Sequence, residues 1–494
     1  MAADSQTTPP TMPNAGVNGY LPPMTRFRSA LDVGAAIARK DISPVEVLDH
    51  YLAQTDAINP ALNAFCLRDD DRARADASAA ADELAKHPDA ERSPLFGVPI
   101  PIKDLHDAAG WPTTHGSWGS SPDPVAADDL PVGRLRAAGL IFMGKTTAPE
   151  LGTISFTESE RLGITRNPWD TTRTPAGSSG GSGAAVASGM APIGHASDGA
   201  GSIRSPASVN NLVGLKSSRN RITMRTEILT GGATQGALTR TVADTAAALD
   251  IMAAFDPGAF NNAPPPSRPY LSEIGEDPGR LRIAVALQAP LPTDIEPGVA
   301  ASIEVAVAAL SKLGHHVERN EDVWPDPGAF IDGFFKVWGT GSSGAPVDPE
   351  RLEPLNKALR EQGNALSSIE YVDALISLQD LTRGWVGRWG TDWDVLVTPT
   401  IAVEPPRVGA CWEGYPEDPI IPLMNCFPMG VFTAPFNLTG LPAISLPLHI
   451  TDSGLPIGVQ FVAGPWREDL LIRLGHQLEE LIGWPDLWPA LAAD

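Results

Sequence analysis

Three stretches carry residues that could do nucleophilic chemistry together: "VPIPIKD", ending in Lys103 and Asp104, "TPAGSSGGSGAAV" over 174–186, and "SDGAGSIRSP" over 197–206. A serine hydroxyl attacks a carbonyl only when a base takes its proton and donors hold the oxyanion that forms. Gly199, Ala200 and Gly201 are small enough for their N–H groups to turn toward one point beside Ser202, which is what an oxyanion hole requires. Lys103 ends an apolar run with Val98, Ile100 and Ile102, surroundings that disfavour an ammonium ion. Neutrality at pH 7 needs a fall of about three units from a reference near 10.4, or roughly 4 kcal/mol, within what full burial supplies. Taken alone, Lys103 is more simply a strand-terminal lysine reaching solvent.

Positioning these groups requires a reversal of the chain between Ser178 and Ser202. The pattern predicts a short helix over 182–189 and a strand over 191–197, "APIGHAS". A helix of about eight residues travels roughly 12 Å and a strand of about six returns roughly 20 Å, which brings 199–202 back beside Ser178.

Other readings of the same residues have to be weighed. Gly and Ser in "GSSGGSG" suit a flexible linker, but apolar, periodic sequence resumes directly at Ala184. The segment 139–146 satisfies G-x4-G-K-[ST], yet Leu140 to Met143 read as a bulky strand rather than a small-residue phosphate cradle, and Pro149 interrupts the helix that should follow. G177-S178-S179-G180-G181 satisfies G-x-S-x-G, but "RNPWDTTRTPA" before it is polar and proline-broken where a nucleophile elbow needs a buried strand. His195, His315, His316, His449 and His476 are scattered through ordinary segments and read as structural or surface residues.

Residues 1–26 are rich in Pro, Thr, Asn and Gly and read as a disordered or extended leader; 486–494 read as a tail. Between them, the length allows two or three average domains or one large α/β unit. Helical spacing runs from Ser29 to Ala57 with a break at Ser43-Pro44, and again over 70–86. "LFGVPIPIKD" and "LIFMG" read as strands, followed by alternating segments that include "LRIAVAL", a helix over 298–313 and "HHVE". A sheet covered by helices is the economical solution. The segment 320–420 holds Trp324, Trp338, Trp385, Trp389, Trp393 and Trp412 and shows no clear strand order. Such residues serve a core more often than a ligand site, although an aromatic insertion also builds substrate funnels.

Composition narrows the partners. With 36 basic and 59 acidic residues, a net charge of -23 repels nucleic acid and anionic membranes over most of the surface. A hydrophobic content of 43% with 19% charged residues belongs to a folded chain. Cys66, Cys411 and Cys426 are odd in number and widely spaced, fitting neither a disulfide framework nor a metal site, and point to a reducing compartment. With no signal-peptide pattern and no apolar run of about 18 residues, the expectation is a cytoplasmic protein, monomer or homodimer, acting on a small molecule.

The sequence resembles the amidase signature family in "GVPIPIKD" (97–104), "GKTTAPELG" (144–152), "TRNPWD" (165–170), "GSSGGSGAAVASG" (177–189), "SDGAGSIRSPAS" (197–208) and "VGLK" (213–216). "FNLTGLPAISLPL" (436–448) and "GLPIGVQFVAG" (454–464) extend the match, so that it covers about residues 27–485. The resemblance implies a single large α/β domain over 27–485, with a central mixed, twisted sheet covered by helices on both sides and a Trp-rich insertion about 320–420. It also implies a Lys-Ser-Ser triad that hydrolyses C–N bonds: Lys103 as base, Ser178 as bridging serine on a cis Gly177-Ser178 peptide, and Ser202 as nucleophile. N–H groups over Gly199, Ala200, Gly201 and Ser202 would hold the oxyanion, with no metal or organic cofactor. Asp198 and Arg204 would pair to shape the loop.

The family's usual D-T-G-G-S appears here as Asp198 to Ser202 with Ala200 in place of a glycine, and "GLKP" as "GLKS" with Ser217. In these details the chain is more similar to the cyclic nylon-oligomer hydrolase, aryl amidase and urethanase branch than to glutamine-hydrolysing transamidosome subunits. The reading is a serine amidohydrolase of amides or carbamates with apolar or aromatic groups; the alternative is a transamidosome-type subunit that works in a complex.

Overall fold

Lys103 ends a strand of one sheet and Ser202 follows the edge strand of another, and the two sheets meet at that place. The structure, a computed structural model, describes residues 27 and 29–492 apart from 228 and 416; the leader over 1–26 lies outside the described residues.

The amino-terminal part begins with helices Ala30–Ala38, Pro44–Leu62 and Asp70–Lys86. Ser43 starts the second with a capping box: its hydroxyl accepts the Glu46 N–H while the Glu46 carboxylate accepts the Ser43 N–H, and Pro44 occupies the first turn. The second and third of these pack on a three-stranded sheet in the order Phe65–Leu67, Ile141–Thr146, Pro99–Lys103, and the first meets the helix Val242–Met252. Each residue of Pro99–Lys103 is buried, so Lys103 ends a strand without reaching solvent.

The main sheet has eight strands in the order His316–Arg319, Arg282–Val285, Val395–Pro399, Pro456–Ala463, Ala443–Ile450, Val213–Lys216, Thr234–Thr239, Gly194–Asp198. The first three run parallel and the remaining junctions are antiparallel, which makes the sheet mixed. Its two faces bury different things because side chains alternate along a strand. On Pro456–Ala463, Val459, Phe461 and Ala463 join the main core with Leu470, Leu471 and Leu474 of the helix Glu468–Ile482. Gly458 and Gln460 turn the other way, toward Ser208 and Arg204 of the short helix Arg204–Val209.

The edge strand Gly194–Asp198 lies against Pro99–Lys103 of the smaller sheet. That contact sets the serine loop beside the lysine. The Gly180–Ala187 helix feeds the edge strand and is tied to it by Ser182, whose hydroxyl donates to His195 O at 2.7 Å.

Residues 320–420 hold three helices, Pro327–Ser343, Pro354–Ala365 and Ser368–Val386, and the sheet strand Val395–Pro399, which the sequence pattern had hidden. Trp385, Trp389 and Trp393 are buried together with Phe436 in the core. At the carboxyl end the Trp488 ring centroid lies 3.3 Å from the Arg240 guanidinium, so Trp488 packs on the body of the fold.

Candidate active site

Lys103 Nζ lies 2.8 Å from both Ser178 Oγ and Ser179 Oγ, 3.1 Å from Ser197 Oγ and 3.3 Å from the Ser197 carbonyl. Burial lowers its pKa to about 7, against an opposing pull from the Asp198 carboxylate. The fall that the sequence argument required is therefore matched by the surroundings of the amine. The Gly177-Ser178 peptide is cis. A side chain at 177 would put its Cβ 2.7 Å from the Phe156 nitrogen, a close approach that only glycine allows.

Ser178 and Ser202 line the same cavity of about 950 Å³, together with Ser197, Asp198 and Gly199. The helix-and-strand reversal has returned the second loop to the first. Ser202 is 8% exposed and also lines a smaller neighbouring cavity with Ala200.

The loop carrying Ser202 is held from below by a buried ion pair. Arg204 donates from Nε and Nη2 to the two oxygens of Asp198, each at 2.9 Å, and also bonds Thr433 O, Gln460 Oε1 and Asn437 Oδ1. Asp198 further accepts the N–H groups of Gly201 at 2.7 Å and Ile203 at 3.2 Å. Although burial opposes it, this set of cationic and hydrogen-bonding partners holds the Asp198 carboxyl well below the usual carboxylate range. The pairing expected for Asp198 and Arg204 is present.

One expected donor is used elsewhere. The Gly201 N–H, placed in the oxyanion cradle by the sequence reading, is donated to Asp198, because a buried carboxylate at the base of the loop needs several donors. Gly201 sits at φ +131°, and a Cβ there would come within 2.2 Å of Thr433 Oγ1. The same Thr433 hydroxyl donates to Ala200 O at 2.7 Å and so fixes the peptide before Gly201.

The rejected motifs end up in structural roles. Lys145 of the phosphate-loop pattern forms a buried ion pair with Asp104 at 2.9 Å, on a strand rather than a loop. Ser179, central to the elbow pattern, is fully buried against Lys103 and donates to Ser197 O at 3.1 Å. Sequence reasoning placed neither Ser179 nor Ser197 beside Lys103; their contact with it depends on how the two sheets abut. It also missed Thr433, Asn437 and Gln460, more than 200 positions from the loop that they brace.

Nor did it single out His106 and His115, which line the large cavity. His106 Nδ1 is 3.0 Å from Asp129 Oδ2, and its ring meets His195 edge to face at 5.1 Å. Of the six tryptophans over 320–420, Trp338 lines the cavity. Among the described residues no group of three His, Cys, Asp or Glu could hold a metal ion, and no helix is long and apolar enough to cross a membrane.

Fold and sequence together define an amidase, a hydrolase of C–N bonds. The amidase family model matches residues 46–472, and the chain belongs to the amidase signature family. It is 37% identical over 480 residues to a 6-aminohexanoate-cyclic-dimer hydrolase of Paenarthrobacter ureafaciens, covering 91% of this chain and 94% of the relative. A putative amidase of a Synechocystis strain is 34% identical over 457 residues, 92% of this chain and 88% of the relative. A solved 6-aminohexanoate cyclic dimer hydrolase complexed with substrate superposes with a TM-score of 0.85 at 32% identity, covering 94% of this chain and 99% of that one. A bacterial aryl acylamidase of the amidase signature family shares the fold, with a TM-score of 0.82 at 22% identity.

Proposed function

We propose that the protein is a serine amidohydrolase that cleaves amides or carbamates carrying apolar or aromatic groups, with Ser202 as nucleophile and Ser178 and Lys103 as proton relay. The observation that carries the reading is the buried Lys103 amine, 2.8 Å from Ser178 Oγ, under a cavity that Ser178 shares with Ser202.

With Lys103 neutral, its lone pair accepts the Ser178 proton as Ser178 takes the proton of Ser202, and Ser202 Oγ bonds to the carbonyl carbon. The N–H groups of Gly199, Ala200 and Ser202 are the donors left to hold the oxyanion. As the tetrahedral intermediate collapses, the C–N bond breaks and the same relay returns the proton to the nitrogen. Water then attacks the acyl-enzyme by the same route and releases the acid; from a carbamate cleaved at its C–N bond the acid released is a carbonate half-ester, which loses carbon dioxide to leave the alcohol.

The similarity to 6-aminohexanoate-cyclic-dimer hydrolases supports an amide substrate with a long apolar stem, and the aromatic side chains beside Ser202 support apolar or aromatic groups. The test is a hydrolysis panel of aryl amides, aryl carbamates and esters run with the wild type and Ser202→Ala. Turnover and fluorophosphonate labelling lost together in Ser202→Ala is the expected result. An unchanged rate overturns the reading, and glutaminase activity seen only with an added partner would favour the transamidosome alternative.

A further inference from the structure

Two cavities meet at Ser202, and they differ in size and chemistry. The larger, about 950 Å³, holds Ser178, Ser197, Thr226, Glu227 and His115 among its lining. The smaller, about 60 Å³, is walled by Phe330, Phe334, Phe335, Phe427 and Val431, with Ala200 at its inner end. Gly152, Thr153, Ser202 and Trp338 border both. Phe330, Phe334 and Trp338 recur every fourth residue on the helix Pro327–Ser343 and so share one face. Their rings are nearly parallel, with centroids 6.4 Å and 5.3 Å apart, and form a ladder that ends over the nucleophile loop. A Cβ at Gly199 would lie 3.5 Å from the Trp338 ring.

We infer that these cavities divide the substrate at the scissile bond: the acyl group enters the small aromatic cavity and the leaving amine occupies the large one. This rests on the Lys103-Ser178-Ser202 relay proposed above. When the C–N bond breaks, the nitrogen must receive its proton from Ser178, and Ser178 borders the large cavity and not the small one. The nitrogen and its substituent therefore lie on the Ser178 side. The acyl carbon, bonded to Ser202, directs its substituent away from them, toward Ala200 and the phenylalanines. Water for deacylation follows the departed amine: its oxygen bonds to the acyl carbon as its proton passes to Ser178, and the carbon–Ser202 bond then breaks as the relay returns a proton to Ser202 Oγ. The substrate class is thus an amide with a compact apolar or aromatic acyl group and a longer, more polar amine.

Two substrate series test this: one amine with acyl groups from acetyl to octanoyl and phenylacetyl, and one acyl group on amines of increasing length. Phe334→Ala enlarges the small cavity, Met424→Trp narrows it, and Tyr371→Ala enlarges the large one. The expected result is a change of about 10-fold or more in the long-to-short acyl ratio of kcat/KM, in opposite directions for Phe334→Ala and Met424→Trp, with the amine ratio held within about 2-fold. Tyr371→Ala should move the amine ratio instead. Turnover in which the small-cavity variants move the amine series and spare the acyl series overturns the assignment while leaving the hydrolase reading in place. Wild-type protein that hydrolyses neither series and takes no fluorophosphonate on Ser202 overturns both.

Discussion

Lys103 Nζ stands 2.8 Å from Ser178 Oγ, with the lysine fully buried and the serine 2% exposed. Removing a general base, the role proposed for Lys103, costs about 10²- to 10⁴-fold in rate. Lys103→Ala is expected to lower kcat by that factor. Because burial brings the amine to about 7, wild-type kcat/KM should rise with pH through that region as Lys103 loses its proton, and the rising limb should vanish in Lys103→Ala. A profile flat from pH 5 to 9 would contradict the relay.

Ser178 and Ser202 are assigned different tasks, and their alanine variants should fail differently. Ser202→Ala should show no covalent fluorophosphonate adduct by mass spectrometry. Ser178→Ala keeps the nucleophile and should label slowly but completely, with turnover reduced about 10²-fold or more. Equal labelling of the two variants would exchange or dissolve these roles.

Asp198 and Arg204 pair without solvent, each at 0% exposure. Arg204→Met leaves a buried carboxylate uncompensated and should cost about 3–5 kcal/mol in denaturant unfolding. The Asp198 pKa is depressed by its partners, so its contribution to stability is present above the unfolded carboxylate pKa and is lost as pH falls. Asp198→Asn should flatten the acid limb of wild-type stability; an unaltered acid limb would show that the pair is not its source.

Gly201 has no room for a side chain beside Thr433. Gly201→Ala should reduce kcat sharply, while Thr433→Val, which loses the hydrogen bond to Ala200 O, should lower kcat about 10-fold with KM little changed. A rise in KM alone for Thr433→Val would place its role in substrate binding rather than in shaping the loop.

Glu353 and Glu150 form a buried acidic contact between the start of the helix Pro354–Ala365 and the segment next to Gly152 of the cavity wall. Glu150 accepts the Glu353 N–H at 2.8 Å, and Glu353 accepts the Glu160 N–H at 2.7 Å. Burial first, and then the neighbouring Glu150 carboxylate, raises the Glu353 pKa to about 8. A carboxyl raised in the folded state contributes stability that is complete below its unfolded pKa and is lost as pH rises through the folded one. Glu353→Gln, which keeps the acceptor oxygen, should therefore melt above wild type at pH 9, with the difference shrinking toward pH 5. A constant difference across that range would rule out the titration.

The amino-acid order by itself determined much of the local structure and the family. Ser43-Pro44 marks a helix start through a hydroxyl acceptor and a preset φ, both local properties. The predicted reversal between Ser178 and Ser202 emerges as the helix Gly180–Ala187 and the strand Gly194–Asp198, because a short helix and a short strand have fixed rises. Lys103, Ser178 and Ser202 were legible as candidates because each lies in a compact motif that carries the family resemblance. Tertiary structure alone decided what these motifs meet. The contact between Pro99–Lys103 and Gly194–Asp198 joins two separate sheets and adds Ser179 and Ser197 to the lysine's partners, which no periodicity within one strand encodes. Thr433, Asn437 and Gln460 reach the Ser202 loop from the far end of the chain, and the Gly201 N–H goes to Asp198 because a buried charge gathers the nearest donors. Trp338 and Trp393 look alike in composition; one lines the cavity with Ser202 and the other is core, a division set by long-range packing rather than by residue type.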